Sequence, residues 1–567
     1  MRVKFLPLKD QLSTWVVYAA CMAAITWVCF DDLADLQIVT HDTDIFRDNE
    51  AISEDFSHFF SAAKAHASGR PTAEWVKWLA YLVWGNDPRW FHLLVVATHL
   101  LASLSLAWLV RRMGCAMELS LLGGLLFLVN VVHYQAVHWI SAFDYPLALV
   151  LALGAVLCYQ LYLTEQRLVW LGGVYGGLIL GVLSHMSVAA VWLFCLYWAW
   201  YRGHEIKAAL RPLLPLALAL AGAVLLSLSL TTKGASTWRS IDMHNQSQIF
   251  DVLLGLWRPF LWLLGRLLTA AHFLPLNLHE MHPWELYVGA GVAAGLAVAI
   301  WKRSFPGAVW AVWTALLLLP FLLIEIDGPD LFMSRYVYLA SAGSSLLLAW
   351  LFVELARSLV RRTRRLGRVA IVCLLVGLGY FNYTSLKRVE AISLYDSGVH
   401  YIAAGDLQSG VDQLRRAIAQ SRDTIPLDVA YSRLCAVLPY LGEDPAPELE
   451  QAVAEFPHYV WLHVLLGARE LLSDDPDVQA QGQDRLDAMA AHTEKLGQSD
   501  LFANNVSAFY HNWGKGFERV DNLEGAIGVY QRALEFKADR PTTLEALRGL
   551  YARTGRGDYD EQRAPAP

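Results

Sequence analysis

The chain has 567 residues, 56% of them hydrophobic and only 17% charged, with 22 Trp, 23 Tyr and 23 Phe. An ordinary soluble domain is about 25% charged, so this composition excludes a disordered chain and a plain cytosolic enzyme. The charge is also uneven. Through Tyr383 there are 27 Lys and Arg against 24 Asp and Glu, net +3; from Thr384 onward there are 18 against 28, net −10. An apolar, slightly basic membrane domain over 1–383 is expected to precede an acidic soluble domain over 384–567.

The first apolar run, Leu12 to Phe30, follows Arg2, Lys4 and Lys9 and is long enough to stay in the bilayer. Further apolar runs predict spans near 90–110, 119–138, 146–164, 168–184, 187–201, 212–230, 284–301, 308–325, 336–358 and 369–383. Basic residues mark cytoplasmic span ends. Eleven crossings put the N-terminus, Arg111-Arg112, the Arg202/Lys207/Arg211 stretch, Lys302-Arg303 and the Arg361–Arg365 run on that side together. Phe250–Phe273 is apolar but carries Arg258 and Arg266. A twelfth crossing there would move the later basic loops outside, so the segment reads as interfacial or re-entrant. The loop 31–88 and everything after Asn382 then lie outside, which fits a bacterial inner membrane and an endoplasmic reticulum alike; the compact chain with few loops favours the former, with a periplasmic C-terminal domain. The seven cysteines sit mostly in apolar runs with no CxxC pair, as small buried hydrophobes would.

From about Ile392 the pattern turns soluble and helical. Gly514, Phe517, Ala526, Tyr530 and Ala533 stand at the offsets of a tetratricopeptide (TPR) repeat, and Gly398, Tyr401, Gly410, Leu414 and Ala417 repeat them. Small residues at these positions let two antiparallel helices approach. The expected fold is all-α: a polytopic bundle followed by a TPR-like solenoid. The solenoid is either a binding surface for a polypeptide or a helical array without a partner.

Several polar residues around the outer ends of the spans can carry chemistry. Asp31-Asp32 follow the first span directly. Adjacent carboxylates at a membrane surface suit a general base acting on a hydroxyl, and equally suit a plain polar helix end. Arg335 stands at the mouth of the tenth span, where a guanidinium either clamps the phosphate of a lipid-linked donor or snorkels within an aromatic belt. Lys233, Arg239 and Arg258 are further outer cations. His133, His138 and His185 lie near span ends, with Asp144 in the following loop. The spacing of five between His133 and His138 disfavours a shared metal, and His92 and His99 read as packing within the bundle. Asp42-Thr43-Asp44 is a weak DxD triplet in an acidic loop. No specific motif supports a divalent cation or another cofactor. There is no phosphate loop, GxSxG elbow or HExxH, and the acidic soluble part argues against nucleic acid.

Phe30-Asp31-Asp32 resembles the first-loop acidic motif of the GT-C superfamily of membrane glycosyltransferases, and in particular its transmembrane-and-TPR protein O-mannosyltransferases and their bacterial relatives. Arg70-Pro71 with Gly85-Asn86-Asp87-Pro88-Arg89-Trp90-Phe91-His92, then Leu126-Phe127 through His133, Ala136–Ser141 and Asp144, and Arg335-Tyr336 through Ser341-Ala342-Gly343, resemble further family segments in the same order. The resemblance implies transfer of a sugar from a polyprenyl-phosphate carrier to a protein or glycan hydroxyl on the outer side, without a metal. It gives Asp31 or Asp32 as base, Arg335, Arg239 and Lys233 toward the donor phosphate, and His138, Asp144, His185 and Arg89 as donor or acceptor contacts. The TPR domain would hold the acceptor. Ser184-His185-Met186, Phe143 and Ser334 replace charged residues of the family pattern. The alternative is therefore an inactive membrane-anchored scaffold that assembles an envelope complex.

Overall fold

The structure, a computed structural model, describes residues 12–31, 33, 52–55, 69–229, 257–272, 283–303, 305–321, 334–362, 364–420 and 424–556. Asp32, Asp42-Thr43-Asp44, Lys233 and Arg239 lie outside the described residues. All regular structure among the described residues is helical.

Chain contacts divide the protein into two units, Met1–Ser393 and Leu394–Pro567. The first holds α1 (Leu12–Cys29), α2 (Pro71–Trp84), α3 (Pro88–Arg112), α4 (Met117–Leu128), the short α5 (Tyr134–His138), α6 (Asp144–Glu165), α7 (Leu168–Ser184), α8 (Val191–Tyr201), α9 (Ile206–Ser229), α10 (Trp257–His272), α11 (Pro283–Trp301), α12 (Gly307–Leu318) and α13 (Tyr338–Arg362). The division falls within α14 (Arg364–Ala403). Among the described residues, seven helical segments are long and apolar enough to cross a bilayer, and α4 with Val131–His138 would make an eighth. Three shorter apolar helices, Leu168–Ser184, Met186–Tyr201 and Gly307–Phe321, occupy the positions of other expected spans. The protein is an integral membrane protein.

The third expected span, near 119–138, is not one straight helix. It bends by 47° between Leu128 and Val131. Asn130 causes the break locally, because its side chain accepts a hydrogen bond from the Val132 amide at 3.1 Å and so caps a new helix start. Beyond it the chain forms a buried staircase of short helices, Val131–His133, Tyr134–His138 and Ile140–Ala142. At the entry to α3, Asp87 caps the helix and Pro88 takes a first-turn position where no amide donor is needed.

The segment read as interfacial or re-entrant is a 16-residue helix, α10, packed against α11. A Cβ on Gly289 would stand 1.7 Å from the Leu261 carbonyl oxygen, and one on Gly265 2.2 Å from that of Glu285. The backbones therefore touch, as small residues allow in membrane helix pairs. This approach seats Arg266 beside Glu285 at 3.2 Å, both buried, with the Trp262 indole donating to Glu285 at 2.9 Å. The pair explains how an arginine is tolerated in an apolar segment.

The second unit continues α14 with α15 (Leu407–Gln420), α16 (Leu427–Val437), α17 (Ala446–Glu455), α18 (Val460–Glu470), α19 (Pro476–Lys495), α20 (Ser499–Arg519), α21 (Leu523–Phe536) and α22 (Pro541–Thr554). Gly398 faces the Gly410 carbonyl, and Gly514 faces the ring of Tyr530. Gly467 and Gly482 make the same kind of approach, each with the other's carbonyl oxygen as its nearest backbone atom. Their spacing is three residues longer than that from Gly398 to Gly410, and the α18–α19 turn, residues 471–475, is longer than the turn over 404–406. That insertion hid this hairpin from a fixed-offset reading.

Two outcomes test this packing. Gly289→Ala is expected to cost about 1–3 kcal/mol by forcing α10 and α11 apart, while Gly291→Ala, which meets nothing within 4 Å, leaves thermal unfolding in detergent unchanged. In the second unit, burial pushes His511 down to about 4, and its Nδ1 lies 3.0 Å from the Thr543 hydroxyl. The folded form disfavours the charged ring, so its contribution is complete above the unfolded value near 6.5 and is lost as pH falls through about 4. Unfolding profiles at pH 7 and pH 4.5 should therefore differ less for His511→Gln than for the parent.

Candidate active site at one end of the bundle

The C-terminal ends of α1, α4 and α7 and the N-terminal ends of α6 and α13 bring their polar residues to one end of the bundle. Two neighbourhoods form there, and the staircase after Asn130 runs between them.

In the first, Arg70 lies 2.9 Å from Asp144, which opens α6 and is almost fully buried, while Arg70 stays a third exposed. The Arg70 guanidinium also lies over the Tyr145 ring at 5.8 Å. The His185 ring rests 4.3 Å from Tyr145, and its Nδ1 pairs with the Ser187 hydroxyl at 2.7 Å. Ser184 donates to the Asp144 backbone carbonyl at 3.0 Å. Burial, and then the charges of Arg70 and Arg335, push the imidazole of His185 well below its ordinary value, so the ring is neutral at pH 7.

Arg335 sits 5.1 Å from the Trp139 ring and 4.9 Å from the Tyr336 ring. Its amide and Nη1 reach the Gln135 side-chain oxygen at 3.4 and 3.5 Å, and Nη2 donates to the Tyr336 hydroxyl at 3.3 Å. Among the described residues no carboxylate pairs with Arg335, in contrast to Arg70 and Arg266. The Trp139 indole N–H and the Tyr145 hydroxyl are buried with no hydrogen-bond partner among the described residues. A cation held on aromatic faces beside spare donors has the chemistry that an anion requires.

In the second neighbourhood, Asp31 follows the end of α1 with its side chain 48% exposed, and its Oδ1 lies 2.7 Å from Lys387 Nζ. Lys387 also lies 3.1 Å from the buried Glu390. His138 Nδ1 pairs with the Ser393 hydroxyl at 2.8 Å, and its ring meets Phe30 edge-on at 6.3 Å. The short α5 connects the two neighbourhoods, since Gln135 and the following Trp139 serve Arg335 while His138 faces Phe30 and Ser393.

His99 and His133 are committed to the fold. His99 Nε2 can only donate to the Leu128 carbonyl at 3.0 Å, so Nδ1 accepts from the Tyr338 hydroxyl at 2.7 Å. The Ser341 hydroxyl donates to the Tyr338 carbonyl at 2.6 Å, so it receives the proton of His133 Nε2, also at 2.6 Å. Among the described residues, no three His, Cys, Asp or Glu side chains gather as a metal would need.

The structure thus groups Asp144, His185 and Arg335, and places His138 inside the bundle beside Asp31's neighbourhood. Arg89 is apart, exposed in the first turn of α3 and paired with Asp87 at 2.7 Å. Arg258 is exposed on α10. Asp144 serves as the counter-ion of Arg70. Sequence reasoning passed over Gln135, Trp139, Tyr145, Lys387 and Glu390 as site residues, although Lys387 and Glu390 stand one helical turn apart just beyond an apolar run.

No protein-family model and no curated protein sequence matches the chain. Among solved structures, it is similar to the oligosaccharyltransferase AglB of Archaeoglobus fulgidus in complex with an inhibitory peptide and a dolichol-phosphate, with 12% identity, 69% of this chain and 58% of that one covered, and a TM-score of 0.44. The apo form of an oligosaccharyltransferase of the same organism gives 12% identity, 77% and 59% coverage and a TM-score of 0.40. ArnT from Cupriavidus metallidurans, bound to undecaprenyl phosphate, gives 14% identity, 92% and 80% coverage and a TM-score of 0.38. The chain therefore spans under two thirds of the length of the archaeal enzymes. At such identities and TM-scores, the reading of function rests on the side chains of the site itself.

A double-mutant cycle tests the Arg70–Asp144 pair. Asp144→Asn should destabilise the protein by about 2 kcal/mol, less than a fully buried pair because Arg70 is partly hydrated. Asp144→Asn with Arg70→Met should lose less than the two single changes added, as read by thermal unfolding.

Proposed function

We propose that this protein is a membrane glycosyltransferase that moves a sugar from a polyprenyl-phosphate carrier onto a hydroxyl of a protein or glycan on the outer side of the membrane. The observation that carries this reading is that one bundle end holds both a half-exposed Asp31 carboxylate, paired with Lys387, and Arg335, a guanidinium that has aromatic support and no carboxylate among the described residues. The order of segments resembling the GT-C superfamily supports it independently.

In this reading the reaction is a direct inverting displacement. Asp31 takes the proton of the acceptor hydroxyl as its oxygen bonds to the sugar's anomeric carbon. The bond from that carbon to the phosphate oxygen breaks, and its electron pair leaves with the lipid phosphate. Arg335, with the Trp139 and Tyr145 donors, meets the charge on that phosphate. Neutral His185 adds no competing charge. The C-terminal helices read as TPR hairpins that hold the acceptor, on the close approaches at Gly398/Gly410, Gly467/Gly482 and Gly514/Tyr530. The basic clusters favour a cytoplasmic N-terminus in a bacterial inner membrane and a periplasmic C-terminal unit. The second reading, an inactive scaffold, draws on the neutral residues at Phe143, Ser184-His185-Met186 and Ser334.

The test uses purified protein in nanodiscs with undecaprenyl-phosphate hexoses and a pool of Ser- and Thr-bearing peptides, with products identified by mass spectrometry. Turnover is expected. Asp31→Asn should lower kcat by about 10²–10⁴-fold, with Asp32→Asn as its companion, and Arg335→Ala should raise the donor KM about 10–100-fold, as loss of a charged hydrogen bond does. Unchanged rates in both variants would remove Asp31 and Arg335 from the mechanism, and a parent protein without turnover would leave the scaffold reading.

A further inference from the structure

Asp31 is held from one side only. Its Oδ1 meets Lys387 Nζ at 2.7 Å, while Oδ2 has no partner among the described residues. Lys387 is in turn fixed from behind by Glu390, one helical turn on, at 3.1 Å; the Glu390 side chain is 4% exposed and that of Lys387 19%. A lysine on a long flexible stem ordinarily samples many rotamers. Here a buried carboxylate anchors it on the side away from Asp31. Lys387, Glu390 and Ser393 succeed one another at intervals of three along the same stripe of α14. Ser393 pairs with His138 on α5, the helix that also brings Gln135 and Trp139 to Arg335. One stripe of α14 therefore relates the position of the carboxylate to that of Arg335.

We propose that Lys387 is the positioning residue for the Asp31 base, anchoring one carboxylate oxygen so that the other is aimed at the acceptor hydroxyl. The inference rests on the reading of Asp31 as the base. Lys387 touches neither donor nor acceptor. It acts through Asp31, and Glu390 acts through Lys387.

The same nanodisc assay with undecaprenyl-phosphate hexoses tests it. Lys387→Met is expected to lower kcat about 30–100-fold, the scale of a base displaced by about an ångström, with donor KM within about twofold of the parent. Lys387→Arg, which restores a charged donor, should recover all but about fivefold of that loss. In an Asp31→Asn background, Lys387→Met should cost nothing more. If Lys387→Met unfolds at a lower temperature, Glu390→Gln reads the same contact without removing the lysine, and a kcat drop of about 3–10-fold is expected. Full kcat in Lys387→Met or Glu390→Gln while Asp31→Asn is inactive overturns this inference and leaves the base reading standing. An equal loss in Lys387→Met and Lys387→Arg also overturns it. Full activity in Asp31→Asn removes the base reading and this inference together, as does a parent protein without turnover.

Discussion

An ionised side chain at the edge of an apolar bundle persists only where a partner offsets the hydration it has lost. The first unit of this protein obeys that constraint in detail. Arg266 has Glu285, Arg70 has Asp144, and Lys77 has Glu74 at 2.9 Å, with both of the last pair nearly buried. The first two pairs join separate segments that the apolar contacts alone would leave free to slide, while the third lies within α2. Hydrophobic surface is as well satisfied by lipid as by another helix, so it does not select one register over another. The ion pairs and the glycine contacts at Gly265 and Gly289 do.

The broken third span serves the same constraint. A straight helix through 119–138 would present its polar residues around a full turn, some of them toward lipid. By ending α4 at Leu128 and restarting at Val131, Asn130 turns the chain inward, and Gln135, His138 and Trp139 become buried contacts of Arg335, Ser393 and Phe30. Non-helical backbone at this depth is tolerated because it is enclosed in protein.

The positions of the apolar helices were legible in the sequence because length and hydropathy mark them directly, and α1, α7 and α11 lie where the runs predicted. Arg335 and Asp144 were legible as polar residues at span ends. Their relations were not. Arg70 and Asp144 are 74 residues apart, and no local pattern joins them. Lys387 lies 356 residues from Asp31 and, read alone, is a snorkelling lysine at the end of an apolar stretch. Glu285 stands in the first turn of α11 and is also the buried partner of Arg266, a relation no local pattern shows. Gly467 and Gly482 escaped a fixed-offset search because a turn insertion changes spacing without changing how two helices meet.

Arg266 and Arg335 show why partner identity carries the functional argument. Both guanidiniums lie against tryptophan, at 5.2 Å from Trp262 and 5.1 Å from Trp139. Arg266 also has a carboxylate, so its charge is balanced within the protein and its role is to hold α10 on α11. Arg335 has two aromatic faces, a side-chain amide oxygen and a phenol, all neutral. Neutral partners orient a guanidinium without cancelling its charge. A site built this way is completed electrostatically by an anion that comes and goes, which a structural arginine does not require. On the other side of α5, Asp31 shows the converse arrangement, a carboxylate tethered by a cation yet left half in water. A tethered, hydrated carboxylate and an oriented, uncancelled guanidinium at one end of a bundle are what a displacement at a phosphate-linked carbon needs, one to take a proton and one to receive a leaving group.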